Sequence, residues 1–383
     1  MINKSRLIRL TQKVISCNSE NPPGNEWNLA QFIIRDMKSC GLQVKTYTYA
    51  KGRPNIVATL KGTLPRAQAA RDAILITPHF DTVPIGTIGK GWKFKPLGGQ
   101  IHNGKIHGRG ASDDKGNLAS CMEVMRSLSE DGVKPRKDVI LAATVDEETG
   151  SKYGIIPLLD KKVLKPGLAL VMDSDEFYAI IAQKGLIHSR IQIFGKKAHG
   201  AYNWRGVNAI EQAAEVIRKI KALRWTHKKH PLLRGPTANI GVIKGGDKVN
   251  MVPDFCEFAL DLRYVPGMDP QAILRRLRAT VRTVTLKFRI IIDDVQLPYT
   301  IGPRHPAVEL YLKTARTMKC PAAVKGSEGA PVITFFKKHG IPAFATGYGA
   351  RGTAHTNDEY IRVNTLYKGT RFLEQYIKEY DRI

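Results

Sequence analysis

Histidine and carboxylate residues recur in five short clusters along the chain. His79 and Asp81 follow the apolar run Ile74–Ile76. Side chains two apart on a strand face the same way, and a carboxylate beside an imidazole fixes its tautomer and makes it a better metal ligand. Alone, such a pair is weak evidence and is more typical of an ordinary surface or core contact. The other clusters are Gly108–Gly116 with Asp113, Asp146–Gly150 with Glu147 and Glu148, Met172–Asp175 with Asp173, and Ala354–Glu359 with His355.

The residue types in these clusters are those of a metal site. Ligands in open α/β sheets bind outside the carboxyl ends of the strands, which is where the first four clusters are expected. Two histidines with several carboxylates suit zinc or a similar divalent ion. A carboxylate shared by two ions gives a two-metal site, in which metals about 3.5–4 Å apart can hold a water and polarise a carbonyl.

The acidic run at residues 146–148 needs a compensating charge. Three adjacent acids at a strand end repel one another, and a divalent cation is the natural partner in a pocket. Because Glu147 and Glu148 are neighbours at a predicted strand end, we expect them to point to opposite sides. One could then bind metal while the other faces the substrate and takes a proton from the water.

In their order and spacing, the clusters resemble the zinc-dependent amidohydrolases and exopeptidases, the family of acetylornithine deacetylase, succinyl-diaminopimelate desuccinylase, aminoacylase, carnosinase-like dipeptidases and glutamate carboxypeptidase. The resemblance extends from Ser19–Gly24 to His355–Tyr360. It implies an activity, namely metal-dependent hydrolysis of an amide bond in a small substrate that bears a carboxylate. It also implies two divalent ions, zinc in the first place, with cobalt or manganese as alternatives.

The resemblance assigns a role to each site residue. The two metals would be held by His79, Asp113 and Asp173, and by Asp113, Glu148 and His355. Asp113 would bridge the ions, Asp81 would orient His79, and Glu147 would be the general base that later acts as an acid.

Departures from the family pattern leave the substrate open. Asp173 stands where the deacylases usually have Glu, and Asp114 where they have Met; both forms are more typical of the dipeptidase-like branch. Asp146–Gly150 instead resembles the deacylase and carboxypeptidase branch, and Ser327-Glu328 replaces the usual Ser-Asp. The substrate is therefore a dipeptide or an N-acyl amino acid.

The length and the periodicity of the chain predict two domains. A chain of 383 residues exceeds what one core usually supports. Helices and strands alternate in the first half, as in a mostly parallel, helix-covered α/β sheet. Residues 185–298 follow the order βαββαβ of a ferredoxin-like α+β domain. We therefore expect a zinc-exopeptidase-like metal-binding domain at 1–184 and 299–383, interrupted by an inserted dimerisation domain at 185–298.

The insert carries three further candidate residues. In the resembling family the counterpart of His199 reaches a neighbouring subunit's active site and stabilises the oxyanion, which implies a homodimer. Asn203 replaces a proline usual in that loop. Asn250 and Arg263 resemble positions that contact substrate, and Arg grips a carboxylate in bidentate fashion. A salt bridge on the strand surface is the alternative for Arg263.

The composition and charge of the chain limit the classes of partner and the cellular compartment that are expected for it. No apolar run approaches the roughly 20 residues of a membrane helix. Five scattered cysteines form no metal-type or disulfide pattern, which fits a reducing cytoplasm. The formal net charge is +26, but the basic residues are dispersed, which argues against specific nucleic-acid binding and favours steering of anionic substrates. The rival interpretations are a basic nucleic-acid-associated protein and a catalytically inactive binding module, which would need a lost ligand or base.

Overall fold

Two compact units make up the part of the chain that the computed structural model describes, residues 1–86, 91–330 and 332–383. The first unit contains residues 1–181, 301–325 and 335–383. The second contains residues 182–300 and 326–334, so it interrupts the first in sequence. Its segment 326–334 lies in the part of the sequence that was assigned to the metal-binding domain.

A mixed sheet forms the centre of the first unit. Its strand order is Gln43–Ala50, Arg53–Leu60, Val139–Ala143, Ile74–Thr77, Leu168–Val171, Ala343–Ala345 and Tyr178–Gln183, with Ala323–Ser327 also paired to the last of these. The four strands from Val139–Ala143 to Ala343–Ala345 are parallel, and the pairs on either side are antiparallel. The expectation of a mostly parallel sheet therefore holds for the central strands alone. Strands 43–50 and 53–60 are joined by a tight turn, which forces them to be antiparallel.

Helices and short hairpins complete the first unit. The helices are Lys4–Ser16, Trp27–Ser39, Arg66–Arg71, Lys115–Glu130, Ile155–Asp160, Pro306–Thr317, Ile333–Lys338, which begins within the second unit, and Val363–Tyr380. A separate small sheet is formed by Gln100–His102, Lys105–His107 and Tyr360–Arg362. Leu118, Met122 and Met125 of the helix Lys115–Glu130 are fully buried, as their helical spacing predicts.

The second unit has the predicted ferredoxin-like order. Its antiparallel sheet runs Thr237–Gly245, Phe255–Tyr264, Gly185–Phe194 and Phe288–Gln296, and its helices are Ala209–Ala222 and Pro270–Arg282. Alternate residues of Phe255–Tyr264 are buried against both helices. The helices begin at Asn208 and Asp269, whose side chains accept backbone N–H groups of the first turn.

The short elements of the second unit include the segment around His199. Ala198–His199 pairs with Met251–Val252, Gly200–Arg205 forms a 3₁₀ turn, and Tyr299–Thr300 pairs with residues 182–183. Over residues 1–86, 91–330 and 332–383, no helix combines the length and the apolar character that a membrane crossing requires.

Candidate active site

Neighbouring parallel strands of the first unit end beside one another and deliver the motif residues to one edge of the sheet. His79 follows the strand Ile74–Thr77, and Asp173 follows its neighbour Leu168–Val171. Backbone pairing continues beyond the strands, since the Phe80 N–H donates to the Thr144 carbonyl at 3.0 Å. This register places the acidic run after Val139–Ala143 at the same edge, as expected for the carboxyl ends of a parallel sheet.

The Asp113 carboxylate lies between two imidazoles. Its Oδ1 is 3.0 Å from His79 Nε2, and its Oδ2 is 3.2 Å from His355 Nε2. His355 Nε2 is also 3.1 Å from Oε2 of Glu148. The structure thus brings together His79, Asp113, Glu148 and His355, although 276 residues separate the first from the last.

Glu147 and Glu148 do not lie at a strand end. The strand ends at Ala143, and Glu147–Thr149 form a 3₁₀ turn preceded by Asp146 in the left-handed region at φ 69°. The expectation that alternation on a strand separates the two glutamates is therefore wrong. The turn nevertheless gives them different neighbours, because Glu147 clusters with His79 and Asp173, and Glu148 with His79 and Asp113.

The donor atoms of these clusters fit divalent metal ions. Within each cluster the histidine nitrogen and the carboxylate oxygens all lie within 4.8 Å of one another. Nitrogen and oxygen donors of this kind are preferred by zinc and related ions. These groups differ from the sets that the resemblance implied, because His79 belongs to both groups, His355 belongs to neither, and Glu147 takes the place of Asp113 beside Asp173.

Mutual repulsion and burial raise the pKa of two of the acids. Burial, then the charge of Asp113, raises the pKa of Asp173 to about 7. Burial also raises the pKa of Glu147, to which the charges of Asp173 and Asp113 add. The pKa of Asp113 is lowered instead, because hydrogen bonds to His355 and His79 outweigh its burial. Asp113 is thus the carboxylate whose charge the surroundings protect.

The pKa values of the two histidines are also raised, which for an imidazole favours the charged form. Hydrogen bonds to Asp113 and Glu148 raise the pKa of His355 to about 10, against the effect of burial. Burial is the largest influence on His79, but its hydrogen bonds to Asp113 and Asp81 outweigh it and raise the pKa well above its usual value. Both imidazoles are therefore held in the charged form by the carboxylates around them.

Asp81 anchors the loops that carry the site. Its Oδ1 lies 3.4 Å from His79 Nδ1, and the Asp81 backbone oxygen is closer, at 3.1 Å. The same carboxylate accepts the backbone N–H groups of Glu147 and Glu148, both at 3.1 Å. Asn21 Nδ2 donates to it at 2.9 Å. Asp81 therefore fixes the glutamate turn as well as contacting His79, and Asn21 is a supporting residue that sequence reasoning missed.

Glu359 is a second supporting residue that sequence reasoning did not assign. This fully buried carboxylate accepts backbone N–H groups of Gly110, Ser112 and Asp113 at 2.8–3.0 Å. It also pairs with Arg109 Nη1 at 2.9 Å. The loop before the helix Lys115–Glu130 is thus tied to the segment that carries His355. In the sequence, the one signal for this role of Glu359 is its position at the end of the motif Ala354–Glu359.

Asp114 also supports His79 rather than capping the following helix. Its Oδ2 accepts the backbone N–H of His79 at 3.1 Å, and its Oδ1 accepts from Asn117 Nδ2 at 2.6 Å. Burial raises its pKa well above the usual value. Together with Asp81 and Glu359, Asp114 completes a set of carboxylates that hold backbone groups of the site.

The three candidates in the insert lie in the second unit. His199 is exposed, and its Nδ1 accepts the Ala201 N–H at 3.1 Å, so the neutral ring carries its proton on Nε2. The exposed Asn250 lies beside this segment, because its carbonyl accepts the Gly200 N–H at 2.8 Å. Arg263 donates from Nε and Nη2 to the carboxylate of Asp261 at 2.7 and 3.0 Å. Its bidentate face is thus engaged within its own strand.

Comparison with known families identifies the chain. The model for peptidase family M20/M25/M40 matches residues 75–379, which include the metal-ligand candidates described above. The chain belongs to this family. It is accordingly a metallopeptidase, a metal-dependent hydrolase of peptide bonds.

Solved structures of this family share the fold. An aminopeptidase PepT from Bacillus cereus has a TM-score of 0.81 and 24% identity over 99% of both chains. A tripeptidase from Staphylococcus aureus has a TM-score of 0.82 and 24% identity over 100% of both chains. A metallo-carboxypeptidase from Sulfolobus solfataricus has a TM-score of 0.82 and 19% identity over 98% of this chain and 99% of that one. The M20 architecture with an inserted domain is therefore that of this chain.

The Glu359 network generates a prediction about metal affinity. In Glu359→Gln, an amide NH₂ group would face N–H donors and Arg109 would lose its partner. Breaking such a buried pair costs about 3–5 kcal/mol of stability. Weakened support for Asp113 should also raise the dissociation constant for zinc by about 10–100-fold. Chemical denaturation and calorimetric metal titration measure the two effects.

The matched control is Glu123→Gln. Glu123 is also fully buried, pairs with Arg6 and accepts the Asn3 N–H, but it lies on the helix Lys115–Glu130 away from the motif residues. This variant should lose stability and keep its metal affinity. Equal metal affinity in both variants would contradict a positioning role for Glu359.

The raised histidine pKa values predict that metal uptake releases protons. Metal ligands must be deprotonated, and in chelator-treated protein at pH 7.5 His355, with a pKa of about 10, is protonated. Titration with zinc in buffers of different ionisation enthalpy should therefore detect released protons, and His355→Ala should release about one fewer. The exposed His102 provides the control His102→Ala, which should match the wild type. Identical release from wild type and His355→Ala would refute the assignment.

Proposed function

We propose that this metallopeptidase cleaves short peptides with a free carboxylate, using two divalent ions and Glu147 as general base. The observation that carries the proposal is the position of Asp113, with one carboxylate oxygen towards His79 and the other towards His355. A carboxylate held in this way suits a bridge between two ions. Zinc is the proposed metal, with cobalt or manganese as alternatives.

The proposed ligands follow from the clusters at the sheet edge. His79, Asp113 and Asp173 would hold one ion, and Asp113, Glu148 and His355 would hold the other. When bound, such ions polarise the scissile carbonyl and lower the pKa of water. The loops that carry the proposed ligands are held in place by the carboxylates of Asp81, Asp114 and Glu359. Each carboxylate accepts backbone N–H groups of these loops. They act as positioning residues, since they face protein groups.

Glu147 would carry the proton in the reaction. Its carboxylate takes a proton from the attacking water, whose oxygen forms the new bond to the carbonyl carbon. As the carbon–nitrogen bond breaks, Glu147 returns this proton to the leaving amine. Burial and neighbouring acids raise its pKa, which favours a group that can hold a proton near neutral pH. The 3₁₀ turn supports a different task for each of the adjacent glutamates.

The inserted domain would supply the contact to the developing oxyanion. Because His199 Nδ1 accepts a backbone N–H, its Nε2–H is directed away as a donor. Donors of this kind stabilise negative charge that develops in the transition state. We propose that His199 serves the site of a partner subunit in a homodimer and that the neighbouring Asn250 contacts the same substrate.

The proposal that the substrate is a short peptide rests on motif residues of this chain and on the activities named for its structural neighbours. Asp173 and Asp114 favour the dipeptidase-like branch, and the structural neighbours include an aminopeptidase and a tripeptidase. The segment Asp146–Gly150 favours N-acyl amino acids as the second candidate. The overall charge of +26 would favour anionic substrates over cationic ones. Arg263 would contact a substrate carboxylate after exchange of its pair with Asp261.

The division of labour between the two glutamates predicts different defects. Glu147→Gln should lower kcat by about 10²–10⁴-fold and keep its bound metal, because it removes the base alone. Glu148→Gln should lose metal. Rates on a dipeptide and metal content per chain measure these effects. Loss of metal in Glu147→Gln would instead make Glu147 a ligand, as its distance to Asp173 allows.

A substrate panel separates the candidates. It contains di- and tripeptides, the same peptides with an acetylated amino group, N-acetyl and N-succinyl amino acids, and the C-terminal amide of each. We expect fast cleavage of the free peptides and a large loss of kcat/KM for the amides. Cleavage of N-acyl amino acids in preference to peptides would support the second candidate. Amides cleaved as fast as acids would contradict carboxylate recognition.

Subunit complementation tests the role of His199. A His199→Ala chain keeps its base, and a Glu147→Gln chain keeps its histidine. If His199 serves the partner's site, mixing the two chains should restore part of the activity, because one of the two sites in each heterodimer is then complete. Mass spectrometry must show subunit exchange. Exchange without restored activity would exclude the role in the partner's site.

A further inference from the structure

A basic cleft lies on the first unit, formed by residues that take no part in the proposed chemistry. Its volume is about 410 Å³, which is within the usual range for small-molecule sites. Six of its fifteen lining residues are Lys or Arg, and no acidic residue lines it. Neither the metal-ligand candidates nor their supporting carboxylates contribute to it.

The pleat of the sheet creates the floor of this cleft. Gln43, Lys45 and Tyr47 alternate along the edge strand and therefore share one face. Lys45 lies opposite Val57, and Gln43 lies opposite Thr59, on the next strand. The floor thus combines polar groups with an apolar patch, and Lys61 follows directly after this second strand.

Two further segments bring more positive charge to the cleft. The helix Arg66–Arg71 contributes both of its arginines, and the segment after Asp160 contributes Lys162 and Lys165. Lys61, Arg66 and Arg71 follow the edge strand by 11 to 21 residues, whereas Lys162 and Lys165 lie more than 110 residues beyond it. The concentration of positive charge therefore results from tertiary structure, and no run of basic residues in the sequence predicts it.

Nearby carboxylates neutralise the two arginines of the cleft but not its lysines. Arg66 pairs with Asp138, and Arg71 pairs with Asp72 at 2.9 Å. Within the part of the chain that the structure describes, no ion pair involves any of the four cleft lysines, Lys45, Lys61, Lys162 and Lys165. Like charges gathered in a concave surface raise its potential and attract anions. The cleft thus holds four uncompensated positive charges.

We propose that this cleft binds a small organic anion that carries several phosphate groups. Four lysines around one small volume match a ligand with several negative charges close together, which phosphates supply and single carboxylates do not. Lysine binds phosphate as a compact point charge. Tyr47 and Val57 provide surface for the apolar or aromatic part of the ligand.

The experiment measures binding of adenosine triphosphate and inorganic tripolyphosphate to the metal-loaded enzyme by calorimetry, at low salt and at about 0.15 M salt. The cleft variant is Lys45→Gln/Lys61→Gln/Lys165→Gln. The control variant is Lys134→Gln/Lys244→Gln/Lys287→Gln, which changes three exposed lysines elsewhere. Both variants lower the formal net charge of +26 by the same three charges. Thermal unfolding and peptidase activity verify that each variant is folded.

We expect saturable binding at one site per chain, with adenosine triphosphate bound more tightly than tripolyphosphate. The cleft variant should raise both dissociation constants by about tenfold or more, and the control variant by less than about twofold. Equal losses in both variants would mean attraction by net charge alone. Full binding in both would place the anion elsewhere, for example at the metals. Either result overturns the proposal.

Two competitors test the chemical class. A short acidic peptide or an oligonucleotide that binds more tightly than adenosine triphosphate, and loses its binding in the cleft variant, would replace the phosphate-bearing small molecule as the occupant. Tripolyphosphate binding as tight as that of adenosine triphosphate would remove the apolar contact from the proposal. Weaker binding of both competitors supports the class proposed.

Discussion

Several carboxylates placed side by side in partly buried surroundings are the constraint on which the rest of the first unit depends. Burial, and then repulsion among them, raises the pKa of Glu147 and Asp173, and Asp113 keeps its charge because imidazoles face both of its oxygens. Such a cluster is stable only with positive charge among its members. Two histidines supply part of that charge, and the same arrangement provides candidate ligands for divalent ions.

A second group of carboxylates gives the cluster its geometry. Asp81, Asp114 and Glu359 accept backbone N–H groups from segments that lie outside regular helices and strands. Buried backbone donors need acceptors, and a charged acceptor satisfies several of them at once. These residues therefore satisfy the backbone donors of the loops and at the same time position the side chains of the candidate metal ligands.

The first unit thus contains two opposite electrostatic environments. One edge of its sheet gathers acids for cations, and the cleft beside the strand Gln43–Ala50 gathers lysines with no acid in its lining. The excess of 60 basic over 34 acidic residues makes the second arrangement easy to form, since few carboxylates remain for surface pairs. The net charge of the whole chain conceals this division, because electrostatic potential depends on where charges lie.

The order βαββαβ of the insert and the candidate site residues could be predicted from the amino-acid sequence. Apolar periodicity reflects burial within a single element, so strands such as Phe255–Tyr264 and helices such as Lys115–Glu130 could be predicted locally. The five clusters could be found because each is a short run with an unusual composition.

Which of these groups contact one another depends on the tertiary fold. Glu359 contacts Gly110 across 249 residues of sequence, and Asp81 contacts the turn at Glu147 across 66. His355 meets Asp113 at 3.2 Å, although 242 residues separate them in sequence. Contacts of this kind depend on the packing of distant segments, and a local pattern carries no information about them.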